Sequence, residues 1–281
     1  MFKLKVLILV ILLCQIQKTL ISSSYSVITI PKCGTHLLEK CINLINNYKW
    51  NPPILNDPLL NFTSSFIARK EDLITEILEQ EYEYVYGHLP YTPLMSDVLF
   101  KKYDKLIFLI RDPRDQLLSF INFNGKTEIF SDIKNFNNIL SSLITGSKKT
   151  VFISSIRNHQ KNYANFIWNF GLAEFYYLFV PWIDQKNCYT IHFESLVGEN
   201  GGGSLESQLE AINSIANAIG RKISNERAKQ IACELFGGTF TFRKGQIGAW
   251  KHEFTPEHKE LFKQYGGELL IKLGYEKDLN W

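Results

Sequence analysis

Tyr25-Ser26-Val27-Ile28-Thr29-Ile30-Pro31-Lys32-Cys33-Gly34-Thr35-His36 is the stretch on which the fold turns. A β-rich run leads into a turn at Gly34, after which Leu37, Leu38, Cys41, Ile42, Leu44 and Ile45 recur at helical spacing. The spacing predicts a strand, a tight connection and a helix. Such a turn suits an anion: glycine lets the backbone approach, the helix N-terminal amides point outward, and Lys32 adds a full charge. A merely tight connection would also use glycine, so the motif needs support from elsewhere. The pattern G-x-x-x-x-G-K-[ST] is absent, which disfavours a nucleoside triphosphatase with its magnesium site. Cys33 is a poor phosphatase nucleophile, because six residues on stands Glu39 where an arginine is needed.

Working outward, Lys105-Leu106-Ile107-Phe108-Leu109-Ile110 is apolar without alternation after its first residue, as in a strand covered on both faces. Asp112 and Pro113 then serve as N-cap and first residue of a helix to about Asn122. Arg111 sits where the strand ends, at the carboxyl edge that open α/β sheets use for ligands, and Ser119 follows eight residues later. The charges of Arg111 to Asp115 also fit a plain capped helix with surface ion pairs. Further strands are expected over Tyr82 to Tyr86 and Cys188 to Phe193, and helices over Glu71 to Gln80, Ser154 to Leu172, Ser204 to Ile219, Ser224 to Leu235 and Pro256 to Leu273. Trp50 to Phe62, Asn124 to Thr150 and Gly198 to Gly203 read as loops, the second a mobile lid. Alternating strands and helices predict a mainly parallel sheet with helices on both faces.

Two more segments carry chemistry. His88 follows the strand ending at Tyr86; a lone histidine is more often structural, but here it stands beside the anion loop, where a general base would act. Unperturbed, it would titrate near ~6.5. Arg243, Lys244 and Gly245 open a basic glycine-rich stretch that runs to Lys251. Two anion loops at strand ends and a distant basic loop predict a ligand with two separated phosphates.

Composition removes other classes. With 45% apolar and 21% charged residues in 281, the chain has a sizeable core and is neither disordered nor a multi-span membrane protein. Its 31 lysines and arginines against 28 acids leave a net +3, too little for a nucleic-acid partner. Five scattered cysteines without a CxxC pair read as reduced thiols, with no metal centre. Residues 1–22 form a hydrophobic leader. The eight apolar residues from Val6 to Leu13 fit a signal or a poor membrane anchor better than a spanning helix, with a buried N-terminal element as the other reading.

In order and spacing, these segments resemble the sulfotransferases that use 3′-phosphoadenosine 5′-phosphosulfate (PAPS), in particular the family containing the cytosolic enzymes, from roughly Tyr25 to Gly274. The resemblance implies a P-loop NTPase-like three-layer sandwich with a central, mainly parallel sheet, in one domain over residues 23–281. It implies transfer of a sulfonate to an acceptor hydroxyl or amine on a small molecule or carbohydrate, without a metal. Lys32, Cys33, Gly34, Thr35 and His36 would bind the phosphosulfate. Arg111, Ser119, Arg243, Lys244 and Gly245 would bind the 3′-phosphate, with Phe193 where the family has a stacking tyrosine. His88 would be the base, and Lys32 would stabilise the leaving phosphate. Lys251 to Glu260 is similar to the family's dimer motif and implies a homodimer. Location would be cytoplasmic, or membrane-associated if residues 1–22 act as an anchor. The chain departs from the family pattern at Leu37 (tryptophan), Tyr86 (lysine), Ala249 (aspartate) and Pro256 (valine). A non-catalytic nucleotide-binding protein, favoured by Tyr86 and Ala249, and a P-loop kinase are the alternatives.

Overall fold

A computed structural model describes residues 24–47, 54–56, 84–124, 136–146, 150–154, 164–168, 171–239 and 242–281, with positions 74, 75, 77 and 79. Its strands are β1 (Tyr25–Thr29), β2 (Ile54–Asn56), β3 (Tyr84–His88), β4 (Lys105–Ile110), β5 (Thr150–Ser154), β6 (Ala164–Trp168) and β7 (Cys188–His192). Five of them build one sheet in the order β2-β3-β1-β4-β7, and every neighbouring pair is parallel. This is the expected α/β architecture. All of β1 is buried, as is β4 from Leu106 onward, so both faces of the sheet are covered and alternation is lost. Each branched side chain so buried contributes about 1.5–3 kcal/mol to folding.

Register decides what meets at the carboxyl edge. Ile28 lies beside both Gly87 and Phe108, and Ile110 beside His192. The next residues along each pair therefore emerge side by side: His88 beside Thr29, and Arg111 beside Phe193, two residues beyond Leu109, the partner of Thr29.

The helices are α1 (Thr35–Asn46), α2 (Pro93–Lys102), α3 (Pro113–Asn124), α4 (Phe136–Thr145), α5 (Leu172–Tyr177), α6 (Phe193–Leu196), α7 (Leu205–Ala218), α8 (Asn225–Leu235), α9 (Trp250–Glu253) and α10 (Pro256–Lys272). Their starts follow local chemistry. Thr92, Ser204, Ser224 and Thr255 each accept a backbone N–H of the first turn, with proline at the first position of α2 and α10.

Five expectations change. Of the helix expected over Ser154 to Leu172, Ser154 and Ala164–Trp168 belong instead to an antiparallel pair of strands, with Phe152 opposite Phe166, and α5 begins only at Leu172; residues 155–163 and 169–170 lie outside the described residues. The β-branched and aromatic residues Val151, Ile153, Phe166, Ile167 and Trp168 explain it, because they suit a pleated surface. Asn124 to Thr150 is not all loop: α4 buries Ile139, Leu140, Leu143 and Ile144, an apolar helical face obscured by the surrounding asparagines. Ile54–Asn56 inside the expected Trp50 to Phe62 loop pairs with β3 as an edge strand. Gly198 to Gly203 is closed by its own backbone, since the amides of Gly201 and Gly203 both donate to Gly198 O, at 3.0 and 2.9 Å. The strand expected over Tyr82 to Tyr86 runs instead to His88. The leader and most of Glu71 to Gln80 lie outside the described residues, although positions 74, 75, 77 and 79 are helical. No helix among the described residues is long and apolar enough to cross a membrane.

Candidate active site

Beyond β1 the backbone enters the left-handed region at Lys32 (φ 69°) and Gly34 (φ 106°) before α1 begins. A Cβ at Gly34 would stand 2.6 Å from Phe193 Cδ2, so only glycine fits this turn. No side chain caps α1 at its start, which leaves first-turn amides as donors for a ligand. Neighbours brace the loop. Gln116 Nε2 donates to Pro31 O at 2.7 Å, the Tyr86 hydroxyl donates to Thr35 O, and Cys33 N donates to Ile30 O at 3.1 Å. Tyr86, where the family has a lysine, thus holds the loop rather than charging it. The buried Cys33 thiol lies 3.6 Å from Tyr176 Oη, and burial pushes it up to about 12, so its contribution is packing. Burial and then the Arg111 charge push Lys32 down to about 8. Two cations pressed together in this way favour an anion between them.

Arg111 is 8% exposed, with its guanidinium carbon 4.1 Å from the centre of the Phe193 ring. Nη2 donates to Gln246 O at 3.1 Å, while buried Nε has no hydrogen-bond partner among the described residues. A buried guanidinium donor without an acceptor costs free energy unless a ligand oxygen supplies one. These residues therefore fit a phosphate.

The basic loop is held through its main chain. Asp115 Oδ2 and Oδ1 accept Gly248 N at 2.6 Å and Trp250 N at 3.0 Å, and Ile247 N donates to Gly201 O at 2.9 Å. Gly245 (φ 62°) packs against Phe242 and Phe236, where a Cβ would clash at 2.7 and 3.1 Å. Arg243 and Lys244 are exposed, and Ser119 is half-buried one helical turn beyond Asp115. No hydrogen bond or ring contact among the described residues joins these three to Arg111. Behind the loop, Arg114 pairs with Asp112 (2.8 Å) and Glu276 (2.6 Å), sandwiched between Trp250 and Trp281 at 3.9 and 4.5 Å from the ring centres.

His88 ends β3 with Nδ1 2.7 Å from Thr29 O and 3.1 Å from Thr29 Oγ1, which in turn is 2.9 Å from Thr35 Oγ1. The carbonyl can only accept, so Nδ1 carries the proton and Nε2 keeps its lone pair. Burial, with the charges of His36 and Lys32 adding to it, pushes the imidazole down to about 4. The titration expected near ~6.5 is thereby moved well below neutrality. Next to it, His36 Nδ1 is 3.0 Å from Glu39 Oε2.

The structure thus gathers Lys32, Gly34, Thr35, His88, Arg111 and Phe193 at one edge and hangs Gly245 nearby. Sequence reading missed Thr29, Gln116, Tyr176 and Glu194, none of which carries a local signal. It gave Asp115 no role of its own, with surface ion pairs as the alternative for the whole Arg111 to Asp115 run. A family model described as the sulfotransferase domain matches residues 23–178.

The chain belongs to the sulfotransferase family.

It is a PAPS-dependent sulfotransferase, moving a sulfonate from that donor to an acceptor. Among relatives, the sulfotransferase is 26% identical over 253 residues to amine sulfotransferase of Oryctolagus cuniculus, covering 84% of this chain and 77% of that one. It is 27% identical over 243 residues to sulfotransferase 2A1 of Mus musculus, with 84% and 80% covered. Its fold is similar to that of mouse sulfotransferase SULT7A1 complexed with PAP (TM-score 0.56, 17% identity, 89% and 88% covered). Similar too is retinol dehydratase in a complex with retinol and PAP (TM-score 0.54, 16% identity, 88% and 80% covered).

Proposed function

We propose that His88 is the general base of this sulfotransferase, and that Lys32, Cys33, Gly34, Thr35 and His36 form the cradle of the donor's phosphosulfate. Arg111, Ser119, Arg243, Lys244 and Gly245 take its 3′-phosphate, and Phe193 forms the wall between the two. The observation that carries this reading is the buried Arg111 with its orphaned Nε, stacked on Phe193 over the Gly34 turn.

Bound PAPS supplies an activated sulfonate on a phosphate leaving group. The chain's own residues supply position and charge. His88 is already neutral, with Nδ1–H tied to Thr29 O, so Nε2 takes the proton of the acceptor as it attacks. Lys32, left-handed and desolvated, meets the charge that develops on the departing phosphate. Sulfotransferases act on small-molecule acceptors. We assign this one a hydroxyl or amine acceptor, with carbohydrate as a separate arm of the test. A homodimer would use the exposed Lys251, His252, Glu253, Glu257 and Glu260, since Phe254 and His258 of the same stretch are buried. A single domain over residues 23–281 and a cytoplasmic location, or membrane association through residues 1–22, complete the proposal. The test is a screen of amines, alcohols, phenols and sugars with labelled PAPS, run beside light scattering for the dimer. Sulfonate transfer to a small hydroxyl or amine is expected. Tight binding of adenosine 3′,5′-bisphosphate with no transfer to any class would leave a nucleotide-binding protein without turnover.

A further inference from the structure

Beyond Arg111 and Phe193, the neighbouring ends of β4 and β7 are tied by one carboxylate. Glu194 Oε1 accepts the backbone N–H of Asp112 at 2.9 Å, and Oε2 accepts the Tyr275 hydroxyl at 3.1 Å. The Tyr275 oxygen is also 3.2 Å from His192 Nδ1. Glu194 therefore sits one residue after Phe193, bonded one residue after Arg111, at the head of a chain Glu194–Tyr275–His192.

We infer that Glu194 takes up a proton when the donor's 3′-phosphate settles at Arg111, so that it both positions the two strand ends and links donor affinity to pH. The inference rests on the 3′-phosphate assignment made above.

Charged and protic groups reach Glu194 from several elements. From the β4–α3 junction come Arg111 and Asp112, the latter already paired with Arg114. Arg114 is also held by Glu276. From the β1–α1 loop comes Cys33, itself in contact with Tyr176 of α5, from β7 His192, and from the segment after α10 Tyr275. Asp115 also feels the Arg111 charge, but its two oxygens are held by the amides of Gly248 and Trp250; with Asp112 paired to Arg114, Glu194 is the acid tied to a neutral phenol that a phosphate at Arg111 would meet. Burial pushes its carboxyl up to about 7, with Asp112 adding and Arg111 opposing. His192 is shifted down by burial and Tyr275 lies well above the usual phenol range, so the proton that moves near neutrality is that of Glu194.

The chain accommodates both states without losing a hydrogen bond. When Glu194 is ionised, His192 Nδ1–H donates to the Tyr275 oxygen and Tyr275 O–H donates to Oε2. When Glu194 is protonated, its O–H donates to Tyr275, Tyr275 donates to His192 Nδ1, and the histidine proton sits on Nε2. Oε1 accepts from Asp112 N–H throughout. Only the charge beside Arg111 changes. A phosphate arriving at Arg111 disfavours the anion, and by reciprocity protonation favours the phosphate. Donor affinity therefore falls as pH rises through about 7.

The experiment is calorimetric titration with adenosine 3′,5′-bisphosphate in buffers of different ionisation enthalpy, from about pH 6 to 8.5, on wild type, Glu194→Gln, Tyr275→Phe and Arg111→Ala. The nucleotide's own phosphates titrate near ~6 in every sample, so the readout is the difference between proteins. Wild type should take up more protons than Glu194→Gln and lose affinity more steeply, by up to about tenfold per pH unit above the transition. Tyr275→Phe removes a donor to the anion and should move the step to higher pH; it serves equally if Glu194→Gln does not fold. Equal proton counts and parallel profiles in wild type and Glu194→Gln, or an unmoved step in Tyr275→Phe, overturn the inference while the 3′-phosphate assignment stands. Undiminished binding by Arg111→Ala overturns the assignment itself.

Discussion

The two loops assigned above to the donor are held in opposite ways. Pro31 to His36 is gripped by side chains from four places in the fold: Tyr86, Gln116, Tyr176 and Phe193. The loop of Arg243 to Gly245 is suspended by its main chain from Asp115 and Gly201, with its cationic tips in solvent. Electrostatic catalysis needs groups that do not reorganise during the reaction, which suits the first loop. A loop that closes on a ligand can stay adaptable, which suits the second. Damage at the first loop should therefore appear in turnover, and damage at the second in affinity.

The largest expected effect breaks turnover alone. His88→Ala should lower kcat by ~10²–10⁴ with nucleotide affinity nearly unchanged, because the imidazole meets the acceptor. Steady-state rates beside calorimetry check it, and wild-type turnover in the variant would move the role of base to His36. At Arg111, which adjoins both loops, alanine should cost ~1.5–3 kcal/mol of nucleotide affinity, the worth of charge-assisted bonds to phosphate. Arg243→Ala should cost less and respond more to salt, since exposed charges are screened. Equal, salt-independent losses at the two arginines would erase the contrast. Asp115→Asn keeps one acceptor for two amides, so the donor KM should rise by about three- to tenfold while kcat at saturating donor holds. A matching fall in kcat would mean that the second loop also takes part in the chemistry.

The smallest effect is a displaced pH limb. With His88 at about 4 in the fold against 6.5 unfolded, the unfolded chain binds more protons between these values. Its contribution to stability is complete above about 6.5 and is lost as pH falls toward 4. The loss of activity from protonating His88 should likewise lie near 4. Comparing kcat/KM profiles of wild type and an active His88 variant, or following the imidazole by NMR, tests this; a histidine limb near 6.5 assigned to His88 would contradict the tie to Thr29.

The carboxyl edge was legible because its signals are local. β1 announces itself by β-prone residues and β4 by an unbroken apolar run, and Gly34, Arg111 and His88 stand directly where strands end. The failures have a different cause. Between Asn124 and Leu172, asparagine composition hid the apolar face of α4, and a short β-prone hairpin was given a helical period. The role of Asp115 stayed hidden because its partners are 133 and 135 residues away, beyond any pattern in a window. The lowered pKa of His88 likewise depends on what buries it, which neither Gly87 nor Leu89 reveals.

Asp115 binds the amides of Gly248 and Trp250, the backbone on either side of Ala249. The information in that stretch is thus stored as a distance along the chain and a carboxylate elsewhere, while the half-buried Ala249 packs toward the core between the two bonds. A search that scores this loop by residue identity would penalise such chains, and one that pairs an acid in the helix after β4 with a glycine two before a tryptophan would retrieve them.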